Sequence, residues 1–261
     1  LKRLPIDALH RGAGAKMVPF AGYDMPLKYQ SVEAEWRAVR ERCGLFDVSH
    51  MGKLIVQGDT AVDMLQYVLT NDVSKLARER VQYSILCTRE GGVIDDLTVY
   101  RLAPQRFMLI VNGATKDKDC AWLSQFATAT AKILDASARY ALFALQGPHA
   151  SAVLDALGLA NVTTGLRYYT FCTAKIQNIP VMIARLGYTG EDGFEIRVEV
   201  KNDEAVSVWN ALTSAGKTFG LALCGLAARD VLRLEAGMPL YGKDLDESHS
   251  PLEAGLERFV A

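Results

Sequence analysis

Leu54-Ile55-Val56-Gln57-Gly58 reads as a strand running into a turn, and Phe143-Ala144-Leu145-Gln146-Gly147 repeats it in the second half of the chain. After each turn comes a helix. Asp59 or Thr60 caps the first, which reaches about Leu69 with Val62, Leu65, Val68 and Leu69 on one face. Pro148 suits the first position of the second, which runs to about Leu157. Working outward, strands follow the first helix at about 81–88, 93–102 and 106–111, then a helix from about 116 to 130. Strands follow the second at about 170–177, 180–186 and 193–200, then a helix from about 203 to 215. The pattern predicts an α+β protein of two related β-α-β-β-β-α halves.

The flanks fill in the division. Residues 1–30 carry Pro5, Gly12, Gly14, Pro19, Gly22 and Pro26 and read as irregular chain around short pieces. Ser31 N-caps a helix to Arg42, with Glu33 and Glu35 in its first turn and Gly44 as its stop. A final helix spans about Leu223 to Ala236, where Arg229 and Arg233 are four apart and project together. Pairing of these arginines with Asp230 and Glu235 is the structural alternative. The expected division is 1–52 as a segment packed on the body, 53–135 and 136–237 as the two halves, and 238–261 as a linker.

Composition narrows the function classes. Twenty-nine basic and 30 acidic residues leave a formal net charge of -1, so net charge gives no argument for nucleic acid or a membrane surface. No apolar run is long enough to span a bilayer. Five scattered cysteines, none in a CxxC pair, argue against a disulfide framework or a zinc site. His10, His50, His149 and His249 show no metal-ligand spacing. Glycine-rich dinucleotide and phosphate loops, HExxH and a nucleophile elbow are all absent.

The chemistry-bearing stretch is Gly91-Gly92-Val93-Ile94-Asp95-Asp96-Leu97-Thr98-Val99-Tyr100. Alternation places Asp95 with Val93, Leu97 and Val99, and Asp96 with Ile94, Thr98 and Tyr100. Both faces are mostly apolar. Either this is an edge strand whose Asp pair faces water or caps a bulge, or one of the carboxylates is a working group with tuned proton affinity. If the halves are related, the turn at Gly91-Gly92 before Asp96 corresponds to Gly187–Gly193 before Glu195. Alone, Glu195 fits the polar face of a half-solvated strand.

Four segments carry a resemblance. Phe46-Asp47-Val48-Ser49-His50-Met51-Gly52, Gly91 to Leu97, Gly187 to Glu195, and Gly225 to Gly237 resemble, in order, the aminomethyltransferase family, the T-proteins of glycine cleavage. Leu240-Tyr241-Gly242-Lys243-Asp244-Leu245-Asp246 is similar as well, and the Lys-Gly-Cys-Tyr motif of a folate-binding relative is not found. The resemblance implies a body around a central cavity for tetrahydrofolate, with a further C-terminal β-barrel domain lying outside this chain. It implies transfer of an aminomethyl group from the lipoyl arm of H-protein to tetrahydrofolate, giving 5,10-methylenetetrahydrofolate and ammonia. It makes Glu195 the pterin ligand, puts Asp96 by the reactive folate nitrogens, lines the cavity with Tyr83 and Asn112, and sets Arg229 near its mouth. The expected partner is lipoylated H-protein, with no metal, nucleic acid or membrane. The expected compartment is the bacterial cytoplasm or the mitochondrial matrix. A non-catalytic folate-binding module and a folate-dependent demethylase are the alternatives.

Overall fold

The computed structural model describes residues 1–261. Residues 1–50 carry β1 (Lys2–Arg3), α1 (Asp7–Gly12), the hairpin of β2 (Lys16–Phe20) and β3 (Tyr23–Lys28), α2 (Val32–Glu41) and β4 (Cys43–Asp47). Residues 51–137 carry β5 (Gly52–Gln57), α3 (Ala61–Val68), β6 (Val81–Cys87), β7 (Val93–Ala103), β8 (Arg106–Val111), α4 (Lys116–Ser124) and β9 (Lys132–Asp135). Residues 138–238 carry β10 (Tyr140–Gln146), α5 (Ala150–Ala156), α6 (Ala160–Gly165), β11 (Phe171–Ile176) and β12 (Ile179–Ala184). They continue with β13 (Gly193–Glu199), α7 (Glu204–Gly216), β14 (Leu221–Leu223) and α8 (Leu226–Glu235). The fold is α+β. It divides into one unit of Leu1–His50 with Ala138–Met238 and another of Met51–Ser137 with Pro239–Ala261.

Each unit holds one large sheet, and the two sheets share a plan. The second unit's strands run β6-β7-β8-β5-β9; the first unit's run β11-β12-β13-β10-β4-β14. The first four strands of each list are antiparallel neighbours in the same chain order. The repeat read at Leu54–Gly58 and Phe143–Gly147 therefore marks equivalent strands, β5 and β10. The turn correspondence does not hold. Gly91-Gly92 joins the first and second of the three consecutive strands, whereas the loop before Glu195 joins the second and third. Asp96 is on β7 and Glu195 on β13, strands that are not equivalent. Glycine content reflects local turn geometry and says nothing of which hairpin a turn belongs to.

In the first unit, Leu45, Phe143, Phe194 and Trp209 belong to one apolar core. Ser31 caps α2 as expected, its Oγ accepting from the Ala34 N–H at 3.1 Å. Gly44 is not a helix stop. It lies inside β4, a buried strand that pairs with β10 and β14. A Cβ at Gly44 would sit 2.5 Å from Val39 Cγ2 and 2.7 Å from Cys224 Sγ. Gly44→Ala is therefore expected to destabilise the protein by about 1–3 kcal/mol, the range for overpacking. Urea unfolding checks this: the midpoint falls while the slope is kept.

Residues 1–30, read as irregular, contain the β2–β3 hairpin, turned at Ala21 and Gly22. Glu35, read as first-turn charge, is fully buried. Its Oε1 accepts from the N–H groups of Tyr29 (2.6 Å) and Gln30 (2.9 Å), and its Oε2 from that of Gly225 (2.9 Å).

In the second unit, Leu54, Leu65, Leu86, Phe107 and Leu109 share the core under the helices. Residues 239–261, read from sequence as a linker, join this unit. Leu245 and Leu256 pack with Ile85 and Val93. The Val93 N–H donates to the carbonyls of Asp246 and His249, and the Ala261 N–H to that of Thr70. Phe259 packs against the same cluster, so the apolar residues of the tail are what hold it to this unit.

Candidate functional site

The second unit brings Asp96, Tyr83 and Asn112 together around β7. Alternation along β7 fails near its start, because Leu86 pairs with Asp95 and Cys87 with Val93, leaving Ile94 as an extra residue. Ile94 thus joins Leu97 and Val99 in the helix-covered core, while Val93 packs with Ile85. Asp95 shares its face with Ile94 rather than Val93. Asp96, paired with Ile85, looks out on the opposite face with Thr98 and Tyr83. The two carboxylates do face opposite ways, but the bulge exchanges their first neighbours.

Tyr83 Oη donates to Asp96 Oδ2 at 2.8 Å. Asn112 Nδ2 donates to Asp96 Oδ1 and to Asp95 Oδ1, both at 2.9 Å. The Asn112 N–H adds a bond to Asp95 Oδ2 at 3.1 Å. Asn112 directly follows β8, and its carbonyl accepts from the Lys116 N–H at 3.0 Å, so the start of α4 fixes its backbone. Asp95 is fully buried, and that burial raises its pKa. Asp96 is half-buried. Burial first, then the Asp95 charge, push its pKa up to about 7, against the bonds from Tyr83 and Asn112. At neutral pH such a carboxyl is divided between acid and base forms, the condition a proton-transfer group needs. Each Asp96 oxygen keeps a lone pair for a further donor.

The first unit holds Glu195 and Arg229. Glu195 is on β13, where Phe194, Ile196 and Val198 are buried and Glu195, Arg197 and Glu199 partly exposed, as the alternation predicted. Arg229, on α8, stacks over the Tyr188 ring with its guanidinium carbon 4.6 Å from the centroid. Burial lowers the Arg229 pKa, and the charges of Tyr188 and Glu195 oppose the shift, so the guanidinium remains a cation. Arg229 and Arg233 do not act as a pair. Arg233 is buried and donates to Asp230 Oδ1 at 2.9 Å.

The loop carrying Tyr188 is pinned from two sides. The Thr189 hydroxyl donates to Gln146 Oε1 at 2.8 Å. Arg40 Nη1 donates to the Thr189 carbonyl (2.6 Å) and Glu191 Oε1 (2.9 Å), and Nη2 to Glu235 Oε2 (2.6 Å). Gly187 and Gly193 make room for Gln146, since a Cβ would come within 1.8 Å and 2.5 Å of its amide.

Sequence reasoning missed three neighbours. Tyr188 was read only as part of a turn. Asp119 is fully buried on α4, although its position in the first turn reads as helix surface. Lys53 is also fully buried, and its register through Ile110 and Thr98 puts it on the face of Tyr83. No residue pattern marks a lysine at the start of a strand as buried. No group of three or more His, Cys, Asp or Glu is placed to hold a metal ion, and no helix is long and apolar enough to cross a membrane.

Comparisons agree with this architecture. The profile of the GCVT N-terminal domain matches residues 6–261. The aminomethyltransferase of Symbiobacterium thermophilum is 46% identical over 98% of this chain and 69% of its own length. That of Streptomyces coelicolor is 44% identical over 100% of this chain and 69% of its own. The crystal structure of glycine cleavage system aminomethyltransferase T from Bartonella henselae superposes with a TM-score of 0.90 at 39% identity, covering 100% of this chain and 70% of that one. Heterotetrameric sarcosine oxidase from Corynebacterium sp. U-96, at 21% identity and a TM-score of 0.52, shares the fold alone. The chain belongs to the GCVT N-terminal domain family. Within that family the relatives it matches are aminomethyltransferases, which places it with the transferases of glycine cleavage.

Proposed function

We propose that this protein transfers an aminomethyl group from the lipoyl arm of H-protein to tetrahydrofolate, yielding 5,10-methylenetetrahydrofolate and ammonia. The observation that carries the proposal is the Asp96 carboxyl, held by Tyr83 and Asn112 and poised near neutrality. The carboxylate acceptors suit tetrahydrofolate, whose pterin offers a ring N–H beside an exocyclic amine. A half-buried carboxylate such as Glu195 accepts both in a two-pronged bond. When bound, tetrahydrofolate supplies the nitrogens that take up the one-carbon unit.

The chain's own residues do the rest. Asp96 orients the acceptor nitrogen, offsets positive charge developing at the transferred carbon, and accepts the proton released as the second bond closes. Tyr83 and Asn112 keep the Asp96 carboxylate in one orientation. Arg229, stacked on Tyr188, presents a fixed cation to a polar part of the ligand or to the incoming arm. Because the named relatives are bacterial, the bacterial cytoplasm is the favoured compartment.

Incubation with aminomethyl-loaded H-protein tests the proposal. Ammonia release that requires both protein and tetrahydrofolate supports it; tetrahydrofolate binding with no ammonia release favours a binding module. Glu195→Gln replaces one acceptor oxygen by a donor. It is expected to weaken tetrahydrofolate binding by about 1.5–3 kcal/mol, the range for hydrogen bonds to a charged group. Unchanged affinity in a calorimetric titration rules out Glu195 as the pterin ligand.

A further inference from the structure

Behind Asp96 lies a third carboxyl that the proposed chemistry does not use. Asp119 is on α4 and fully buried, and neither of its oxygens has a partner within hydrogen-bond geometry; the Thr115 hydroxyl lies near it but donates to the Asn112 carbonyl at 3.2 Å. Its neighbour is the Asp95 carboxyl, also fully buried. Two carboxylates in such a place repel each other unless one carries a proton, and then the O–H of one bonds the oxygen of the other. Asp95 already accepts two bonds from Asn112. It is therefore the member built to be the anion, and Asp119 the member built to be the acid. The same Asn112 amide nitrogen then reaches Asp96 Oδ1 at 2.9 Å.

We propose that Asp119 is a positioning residue for Asp96: it holds the single proton of the Asp95–Asp119 pair, so that Asp95 stays an anion, directs the Asn112 amide onto Asp96, and sets the charge felt by the Asp96 carboxyl. The inference rests on Asp96 acting in aminomethyl transfer. The shifts agree with the geometry. Burial, then the Asp95 charge, raise the Asp119 pKa well above the carboxylate range, and the Asp95 charge also raises that of Asp96.

Other charges near the pair are committed elsewhere. On α4, Lys118 is the cation nearest Asp119 in effect, and it donates to Tyr241 Oη (2.6 Å) and Glu247 Oε1 (2.9 Å) of the tail. Lys116 pairs with Asp135 at the end of β9 at 2.6 Å. β7 presents Asp95 and Asp96, and β6 presents Tyr83, whose hydroxyl is given to Asp96. Both of these lysines are engaged by other partners, and the O–H of a protonated Asp119 then stabilises the Asp95 anion by a hydrogen bond.

The test is a carboxyl ¹³C NMR titration of the protein labelled at aspartate, with turnover measured in parallel. In the wild type, Asp119 is expected to remain protonated at neutral pH while Asp96 titrates at about 7. Asp119→Asn supplies a neutral N–H donor and is expected to keep both the Asp96 midpoint and kcat. Asp119→Leu forces Asp95 to take up a proton itself. The Asp96 midpoint should then fall by about one pH unit or more, with the acid limb of kcat moving alongside it. An Asp119 already ionised in the wild type at about pH 6 overturns the inference, being then little removed from an ordinary carboxylate. So does an Asp119→Leu protein that loses stability but leaves the Asp96 midpoint in place. Should Asp119→Leu fail to fold, the wild-type and Asp119→Asn titrations decide. The titration needs no turnover. If the titration is as expected and no aminomethyl transfer is found, the reaction assignment fails and the positioning role stands.

Discussion

Asp96→Asn lowers turnover in aminomethyl transfer by about 10²-fold or more, the range for a positioned acid–base group, and leaves tetrahydrofolate affinity little changed. The substitution keeps the shape and the contact with Tyr83 while removing the charge and the proton-accepting oxygen. The pH dependence has a definite sign. The ionised form does the work, so wild-type turnover rises with pH through about 7 as Asp96 loses its proton. The variant loses that limb. Asp95→Asn acts differently, because Asp95 is fully buried and its bonds run to Asn112. Its main effect is expected on stability, read as a lower melting temperature. An Asp95→Asn protein that loses turnover beside an Asp96→Asn protein that keeps it would place the chemistry on the other face of β7.

Glu35→Ala is expected to destabilise the protein by about 2 kcal/mol or more, because an orphaned buried N–H costs roughly 1–3 kcal/mol and the buried Gly225 and half-buried Tyr29 both lose their acceptor, the exposed Gln30 adding less. The N–H groups of Tyr29, Gln30 and Gly225 all lose their acceptor. Water does not replace it easily, since a Cβ at Gly225 would come 2.3 Å from the Leu27 carbonyl group. Glu35→Gln keeps one oxygen for Tyr29 and Gln30 but turns an amide N–H toward that of Gly225, so its loss is smaller and still measurable. Chemical denaturation of the three proteins gives the order wild type, Gln, Ala. Equal stability of wild type and Ala would mean that the three N–H groups find other partners.

The sequence carried the periodic elements well and the tertiary ones poorly. The alternation Phe194, Ile196, Val198 identified β13 because burial on one face is a local pattern. The repeat of Leu54–Gly58 at Phe143–Gly147 identified equivalent strands for the same reason. β4 was missed because glycine at position 44 and aspartate at 47 weaken a strand reading, and the contacts of Gly44 with Val39 and Cys224 exist only once the chain is folded. Alternation named the wrong neighbours for Asp95 because one bulged residue shifts the faces near the start of β7. At the candidate site, family resemblance was needed to choose Asp96 over Asp95. Asp119 stayed hidden because an aspartate in the first turn of a helix is ordinary, and only the folded chain buries it beside Asp95.

The most direct test follows the carbon itself. H-protein loaded with a ¹³C-labelled aminomethyl group is incubated with tetrahydrofolate and either wild-type or Asp96→Asn protein, and the label is followed by NMR while ammonia is assayed. The account predicts that the wild type moves the label into 5,10-methylenetetrahydrofolate in step with ammonia, and that Asp96→Asn slows both together. Ammonia appearing while the label ends as free formaldehyde, at the same rate in both proteins, would contradict it.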